Sequence, residues 1–254
     1  MMALPVQRPP SPHAGNDDGT ATRPSRPYHH GDLAAALLDA GEAELADKGV
    51  EAFSLRGVAK RAGVSHAAPA HHFGDARGLL TAIATRGFER FIARQQDFRR
   101  EAPPNPRAQL EASGLGYVAF ATENPALFRL MFGSDRPDFE AASLCRASRV
   151  AFEDLVQHVI AVDGPRDHPP EQAHALSSDP DCPAPPQEGG TGDASALGVL
   201  MNDVAACWAI AHGLADLLVA GRLPDLAALP PEDRARAIVG IVGRALPTGL
   251  PAKG

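Results

Sequence analysis

Residues 55–73 read LRGVAKRAGVSHAAPAHHF and contain the clearest local signals of helix starts and ends in the chain. Ser54, just before it, is of the residue type that caps helix N-termini, and Gly63 is of the type that ends helices in a left-handed conformation. Ser65 is predicted to cap a further helix within two residues. The stretch therefore predicts two short helices joined by residues 62–65, which is a helix-turn-helix.

The helix predicted to follow Ser65 should expose its first two turns. A helix presented in this way fits the DNA major groove, which is about 12 Å wide, and offers backbone N–H groups to phosphate. Val64 and Phe73 are expected in the core, and Pro69 is expected inside the helix, where it removes about one hydrogen bond. The DNA-contacting residues predicted on the outer face are Ser65, His66, Ala67, Ala68, Ala70 and His71.

The flanking residues extend the pattern on both sides. Tyr28-His29-His30-Gly31-Asp32 precede the motif, and Gly74-Asp75 follow it, with Leu79-Leu80 beyond. Over residues 28–90 the sequence resembles the tetracycline-repressor (TetR) family of one-component regulators. The resemblance implies a three-helix DNA-binding domain at 28–90, with no catalysis and no cofactor. It also implies a homodimer that binds a palindromic operator in double-stranded DNA and responds to a small-molecule effector.

Two positions depart from the pattern of that family. The family commonly places a tyrosine where Ala70 stands and a lysine where Ala76 stands, and both of those side chains contact phosphate. Alanine instead offers apolar contact with thymine methyl groups, so specificity should depend partly on DNA shape. The phosphate contacts predicted from other positions are Arg77 and His72 after the motif, and Arg56 and Lys60 on the preceding helix.

The remainder of the chain has an all-α pattern. Residues 1–27 are predicted to be a disordered tail, and residues 163–194, with seven prolines and four glycines, a disordered insertion. Residues 91–254 otherwise form the predicted helical regulatory and dimerisation domain, and no strand pattern with a period of two is found. Besides a first helix from Gly31 to Lys48, helices are predicted at about 76–100, 106–123, 125–133, 138–161, 195–221 and 231–245.

Charge is divided unevenly along the chain. Residues 23–100 hold 12 Lys and Arg against 9 Asp and Glu, whereas residues 101–254 hold 11 against 20. This division indicates that only the first segment meets phosphate, although a balance of this size also arises by chance. No uninterrupted apolar run of membrane-spanning length and no signal sequence is found, so the chain is expected to be cytoplasmic. The adjacent histidines and the three cysteines lack metal-ligand spacing, and no metal is expected.

The C-terminal half contains a second pattern, Trp208-Ala-Ile-Ala-His212-Gly213. Trp208 and His212 share a helix face because they are four residues apart. The pattern resembles the Trp-x-x-x-His-Gly signature of one C-terminal domain type in TetR-like regulators. His212 is then either a packed core residue or a pocket residue that orients a ligand. The candidate pocket residues are Phe120, Phe128, Phe132, Phe152, Trp208 and His212, although aromatic residues at helical spacing also form ordinary cores.

The last two long helices are expected to form the dimer. In the family these helices build a four-helix bundle across two subunits. The residues apolar enough for such an interface are Leu214, Leu217 and Leu218 on one helix, and Ile238, Ile241 and Val242 on the other.

The sequence therefore leads to one function with several alternatives. The leading hypothesis is a dimeric, sequence-specific DNA-binding transcription regulator, usually a repressor in this family, that a small molecule releases from DNA. One alternative is a DNA-binding regulator without an effector. Another is a helical enzyme that uses His212 and Asp216 as an acid–base pair, although no GxSxG, HExxH or phosphate loop occurs. The motif can also be a plain helical hairpin in an all-α domain.

Overall fold

The computed structural model describes residues 30–163 and 194–244. The tail predicted at 1–27 lies outside these residues, as does nearly all of the insertion predicted at 163–194. The described residues form ten helices and no strand, which confirms the all-α class. The helices are α1 (His30–Lys48), α2 (Leu55–Ala62), α3 (Ala68–Phe73), α4 (Ala76–Glu101), α5 (Pro106–Glu123), α6 (Pro125–Phe132), α7 (Ala142–Asp163), α8 (Ala194–Val219), α9 (Pro224–Ala228) and α10 (Pro231–Val242).

The capping residues of α2 act as predicted. The Ser54 hydroxyl accepts a hydrogen bond from the Gly57 backbone N–H at 3.1 Å. Gly63 ends the helix with φ at 67°, a left-handed conformation that glycine adopts at little cost. Local chemistry alone therefore sets both ends of this helix.

α3 begins later than predicted. Ala67 occupies its N-cap position without a side-chain hydrogen bond, and Ser65 contributes only its backbone carbonyl, to the Ala68 N–H. The prediction that Ser65 caps this helix is therefore wrong. Pro69 lies in the first turn, where its missing N–H has no intrahelical acceptor to lose, so the predicted loss of a hydrogen bond is also wrong.

A buried ion pair joins α1 to α2. Arg61 Nε donates to Glu44 Oε2 at 2.6 Å, and the Glu44 carboxylate is almost fully buried. The hydrogen bond to Glu44 is the largest of the effects that raise the pKa of the Arg61 guanidinium. A Cβ added at Gly57 would lie 2.0 Å from Glu44 Oε1, so only glycine lets α2 approach α1 this closely.

α4 connects the helix-turn-helix to the rest of the chain. Asp75 caps its start by accepting a hydrogen bond from the Gly78 N–H at 2.8 Å. The helix packs against α1, α3, α5, α6 and α7, and one hydrophobic core runs from Leu37 to Val242. It approaches α5 closely at Gly116, where an added Cβ would lie 2.7 Å from Gln95 Cα. This crossing holds Gln95 inside the molecule.

Later helices differ from the predicted ranges at their ends. α7 begins at Ala142 because residues 133–141 form a loop, in which the Asp138 backbone N–H donates to Thr81 Oγ1 at 2.8 Å. α8 ends at Val219, shortly before Gly221 with φ at 67°. α9 has only five residues, and a pattern of that length does not predict a helix.

α8 has one buried and one open face. Its residues Gly198–Val219 are long and apolar enough to cross a membrane by length and composition, and 28% of the stretch is buried. The stretch is not an uninterrupted apolar run, because Asn202, Asp203 and Asp216 lie within it. The helix packs on α5, α7 and α10 through a buried side that includes Val204, Cys207, Ala211 and Ala215.

Candidate nucleic-acid interface and ligand cavity

The segment from Ser65 to His72 faces outward. Ser65, His66 and Ala67 are exposed ahead of α3, and within α3 the predicted residues Ala70, His71 and His72 are exposed as well. Ala68 is half-buried and Pro69 is buried. Val64 and Phe73 pack partly buried against the hydrophobic core, on the side where they are expected. The hydrogen-bonding side chains of this surface therefore point to solvent.

Arg56 and Lys60 stand out among the cations of the N-terminal region. Both are exposed on α2, one helical turn apart, and neither forms an ion pair with any described carboxylate. The other Lys and Arg side chains described between residues 33 and 100 all have acidic partners: Lys48, Arg61, Arg77, Arg86, Arg90, Arg94, Arg99 and Arg100. The two cations without such a partner lie on α2, the helix that directly precedes the exposed segment and packs against α3.

Arg77 already pairs with a carboxylate that would compete with phosphate for its guanidinium. Its Nη2 donates to Asp138 Oδ1 at 3.2 Å, and 60% of its side chain remains exposed. An exposed pair of this kind contributes little stability, so Arg77 can exchange its carboxylate for another anion at small cost.

A cavity of about 410 Å³ lies between α4, α5, α7 and α8. Its size is within the range of about 300–1,000 Å³ that is usual for small-molecule sites. No Asp, Glu, Lys, Arg or His side chain is among the described residues that line it. The lining consists of aromatic and aliphatic groups with a few neutral polar ones: Phe88, Phe91, Gln95, Leu110, Ser113, Gly114, Tyr117, Met131, Phe132, Ser134, Phe139, Ser148, Ala151, Phe152, Leu155, Cys207, Trp208, Ala211 and Val242.

The predicted pocket residues divide into three groups. Phe132, Phe152 and Trp208 line the cavity. Phe120 and Phe128 do not line it; they lie in the hydrophobic core, at 1% and 2% exposure. His212 stands behind the wall and holds one of the lining residues. The structure thus separates core from pocket, which helical spacing alone does not.

His212 is hydrogen-bonded to Tyr117. Its Nδ1 lies 2.8 Å from the Tyr117 hydroxyl, which lines the cavity, and burial raises the pKa of that phenol. The Trp-x-x-x-His-Gly pattern therefore contributes Trp208 directly and Tyr117 indirectly to the cavity wall. Among the described contacts, none joins His212 to Asp216, and Asp216 is exposed. The acid–base pair required by the enzyme alternative is not formed.

Gln95 and Tyr117 are two of the polar lining residues that sequence reasoning missed; Ser113, Ser134 and Ser148 are the others. Gln95 is a polar residue within an amphipathic helix, at 7% exposure, and polar residues on the apolar side of that helix were not considered among the predicted pocket residues. Tyr117 lies 95 residues from His212 in the chain, so their contact is visible only in three dimensions. A polar residue on the apolar side of a predicted helix is the one signal that could have found Gln95.

The residues predicted for the dimer interface are not equally available. Leu214, Ile238 and Val242 are buried in the core of the chain itself, at 6%, 4% and 2% exposure, and leave no surface for a partner. Leu217 is 44% exposed, and Leu218 and Ile241 are half-buried. Of the six residues predicted for a dimer interface, only these three retain surface that a partner could contact.

Two glycines lie on the open sides of these helices. A Cβ added at Gly213 of α8 or at Gly240 of α10 would have no neighbour within 4 Å. Small neighbours, Ala205, Ala206 and Ala209, are exposed on α8 as well. Another backbone could approach this surface closely.

Metal-ligating groups are not assembled in the part of the chain that the structure describes. No cluster of three or more His, Cys, Asp or Glu side chains is found there that could hold an ion.

Comparison with known proteins identifies the family. The family described as "Bacterial regulatory proteins, tetR family" matches residues 37–83, and the family described as "Tetracyclin repressor-like, C-terminal domain" matches residues 110–242. The second match alone covers more than half of the chain. The chain therefore belongs to the TetR family, whose members are transcription regulators and not enzymes. No match is found among curated proteins.

Solved structures share the fold over most of the chain. A protein of unknown function from Rhodococcus sp. RHA1 is 31% identical, with a TM-score of 0.61, and the match covers 87% of this chain and 99% of that one. A TetR-like transcriptional regulator from the same organism is 15% identical, with a TM-score of 0.52 over 86% and 98% of the two chains. A TetR family transcription regulator from Marinobacter aquaeolei VT8 is 18% identical, with a TM-score of 0.54 over 85% and 96%.

Proposed function

We propose that this protein is a homodimeric repressor that binds a palindromic DNA site through the segment Ser65–His72 and is released from it by a small molecule. The observation that carries the proposal is the exposed segment Ser65–His72, together with the exposed Arg56 and Lys60 on the preceding helix α2. These two cations have no acidic partner among the described residues, whereas the surrounding arginines are neutralised. Positive charge is thus available where a duplex backbone would pass.

Each subunit would read one half-site. Ser65, His66 and His71 can form hydrogen bonds with base edges in the major groove, and Ala67 and Ala70 can contact thymine methyl groups. Arg56 and Lys60 would contact phosphate on the flank and set the register without reading sequence. Few side chains are available for base contacts, so DNA deformability is expected to contribute to specificity.

Dimerisation would place two copies of α3 in successive major grooves. The partner is expected on the open faces of α8 and α10, where Leu217, Gly213 and Gly240 are uncovered. Half-sites of such a dimer would be about 34–36 Å apart on the duplex. The apolar character of α8 supports this assignment, because an uncovered apolar face costs free energy in water.

The ligand signal would pass through the loop at residues 133–141. Ser134 and Phe139 of this loop line the cavity, while Asp138 between them binds Arg77 and Thr81 at the start of α4. α4 follows α3 after only Gly74 and Asp75. A ligand that moves Phe139 would shift the start of α4 and change the separation of the two copies of α3.

The proposal is tested by selecting binding sites from random duplex DNA with the purified full chain, and by measuring affinity for the selected site. A palindromic consensus is expected. His66→Ala should change the preferred bases, whereas Arg56→Ala should weaken binding to all sequences alike. Arg222→Ala, which removes an exposed cation beyond the end of α8, serves as the control. Recovery of no consensus, or equal effects of the three variants, would contradict the proposed interface.

A further inference from the structure

We propose that the cavity binds an uncharged, largely aromatic molecule and that the side-chain amide of Gln95 recognises its polar group. This inference rests on the proposed function, since it specifies the chemistry of the molecule that would release the protein from DNA. Its basis is the charge and the shape of the cavity wall, and the one side-chain amide in that wall, Gln95, that has no hydrogen-bond partner among the described residues.

The absence of formal charge in the wall disfavours an ionised ligand. The described residues that line the cavity are aromatic, aliphatic or neutral polar. An ion transferred from water into such a site loses its hydration and finds no counter-charge, which strongly weakens binding. A carboxylate, phosphate or ammonium ligand would therefore bind less tightly than its uncharged analogue.

The ion pair behind the wall does not change this conclusion. Arg99 forms two hydrogen bonds with Asp154, at 2.8 and 3.1 Å, and its Nη1 donates to Ser113 at 2.8 Å. Both charges are therefore matched within the protein. Ser113 also donates to the Gln109 carbonyl, so its hydroxyl is already engaged on both sides.

Aromatic rings provide most of the contact surface. Phe132 makes edge contacts with Phe88 and Phe91, at ring-centroid distances of 5.4 and 5.8 Å, and Phe139, Phe152 and Trp208 complete the wall. Offset and edge-to-face packing against such rings favours a flat aromatic ligand over a flexible chain. The cavity volume of about 410 Å³ limits the ligand to a molecule of modest size.

Gln95 is the polar group that remains unmatched. Its side chain lines the cavity, is 7% exposed, and makes no hydrogen bond with any residue that the structure describes. The Gln95 amide is not one of the fully enclosed groups that lack a partner, so it is open to the cavity, where it can both donate and accept hydrogen bonds. The Tyr117 hydroxyl, in contrast, is already bonded to His212. A carbonyl, hydroxyl or amide on the ligand is the partner that the Gln95 amide lacks.

The test uses probes of known chemistry with the full-length protein. Prodan, an uncharged naphthalene ketone, is titrated while energy transfer from Trp208, the only tryptophan, is recorded. The bound prodan is then displaced with 2-naphthamide, with 2-naphthoate and with 2-isopropylnaphthalene. 2-Naphthamide is uncharged and polar, 2-naphthoate is anionic, and 2-isopropylnaphthalene is uncharged and apolar. We expect the amide to displace prodan at a concentration at least about tenfold lower than the carboxylate does.

Substitutions test whether Gln95 makes the polar contact with the ligand. Gln95→Leu and Gln95→Met should weaken the binding of 2-naphthamide about 2- to 12-fold, the range expected for one hydrogen bond. The affinity for 2-isopropylnaphthalene should be unchanged. Gln96→Leu changes the exposed neighbouring residue and should have no effect. Ala151→Phe should fill the cavity and abolish prodan binding, whereas Ala228→Phe on the exposed side of α9 should not. Thermal unfolding of each variant verifies that it is folded.

Several results would overturn the inference. One is stronger binding of 2-naphthoate than of 2-naphthamide. Another is an equal effect of the Gln95 and Gln96 variants on the binding of 2-naphthamide. A third is that none of the probes binds. Operator DNA added to the same titrations separates this inference from the proposed function. If the probes bind as expected but leave operator binding unchanged, the ligand class stands and release by a ligand fails.

Discussion

Asp138 binds two residues of α4 at once: its carboxylate accepts a hydrogen bond from Arg77 at 3.2 Å, and its backbone N–H donates to Thr81 Oγ1 at 2.8 Å. The neighbouring Phe139 lines the cavity. Adjacent residues of one loop therefore touch the proposed effector site and the start of α4, which directly follows α3, the helix proposed to contact DNA.

Releasing Arg77 from Asp138 should strengthen DNA binding. In Asp138→Asn the guanidinium loses its competing carboxylate and becomes available to phosphate, so affinity should rise about two- to fivefold, in keeping with an exposed ion pair. The salt dependence should steepen by up to about 0.9 for one additional phosphate neutralised. Fluorescence anisotropy of a labelled operator at several salt concentrations measures both. Asp135→Asn, an exposed change in the same loop, is the control, and an equal rise in affinity there would refute a specific role for the pair.

Gly57→Ala should destabilise the helix-turn-helix. The new methyl group would lie 2.0 Å from Glu44 Oε1, and the overpacking should lower the free energy of unfolding by about 1–3 kcal/mol. Urea unfolding measures this loss. In a Glu44→Ala background the obstructing carboxylate is absent, so the same substitution should cost much less. An undiminished cost in that background would show that the close approach to Glu44 is not its cause.

Leu217→Glu should dissociate the proposed dimer. A carboxylate at this exposed apolar position of α8 would be buried without a partner in the interface. Leu229→Glu is the matched control, because Leu229 is exposed to a similar degree, 38% against 44%, but lies beyond α9. Sedimentation should give a monomer for the first variant and a dimer for the second. If both variants are dimers, or both are monomers, a specific role of α8 in the interface is refuted.

Cys207 should be almost unreactive at neutral pH. Burial raises the pKa of its thiol to about 11, with Asp203 as a second cause, so the reactive thiolate is scarce at pH 8. Alkylation by iodoacetamide should accelerate about tenfold per pH unit between pH 7 and 10, and prodan should slow it because Cys207 lines the cavity. Peptide mapping by mass spectrometry resolves this site from the other cysteines. Rapid labelling at pH 7 would mean that the thiol is neither buried nor part of the cavity wall.

Local signals predicted the helix-turn-helix well and the cavity only in part. Ser54 and Gly63 set the ends of α2 through contacts within a few residues, which a sequence displays directly. The prediction that Ser65 caps α3 failed because a serine near a helix start can accept a hydrogen bond through its hydroxyl or through its backbone carbonyl. Here the carbonyl accepts it. The sequence also indicated Trp208, Phe132 and Phe152 as wall residues, which the structure places there.

The remaining differences arise from tertiary packing. Leu214 and Leu217 have the same side chain on the same helix, yet one is buried in the core and the other is open, because α5 and α10 cover only one side of α8. Gln95 enters the cavity wall because Gly116 of a neighbouring helix lets the two backbones approach. Neither relationship is present in the spacing of residues along one helix.

Binding of duplex DNA by the α2–α3 surface should appear in the salt dependence of operator affinity, measured for the native chain and for Arg56→Ala/Lys60→Ala. Counterion release predicts that log K falls linearly with log salt, and that the double variant lowers this slope by about 0.9 for each phosphate that it no longer neutralises. Arg222→Ala should leave the slope unchanged. An affinity that is indifferent to salt, or a slope that the double variant does not alter, would contradict DNA binding by this surface.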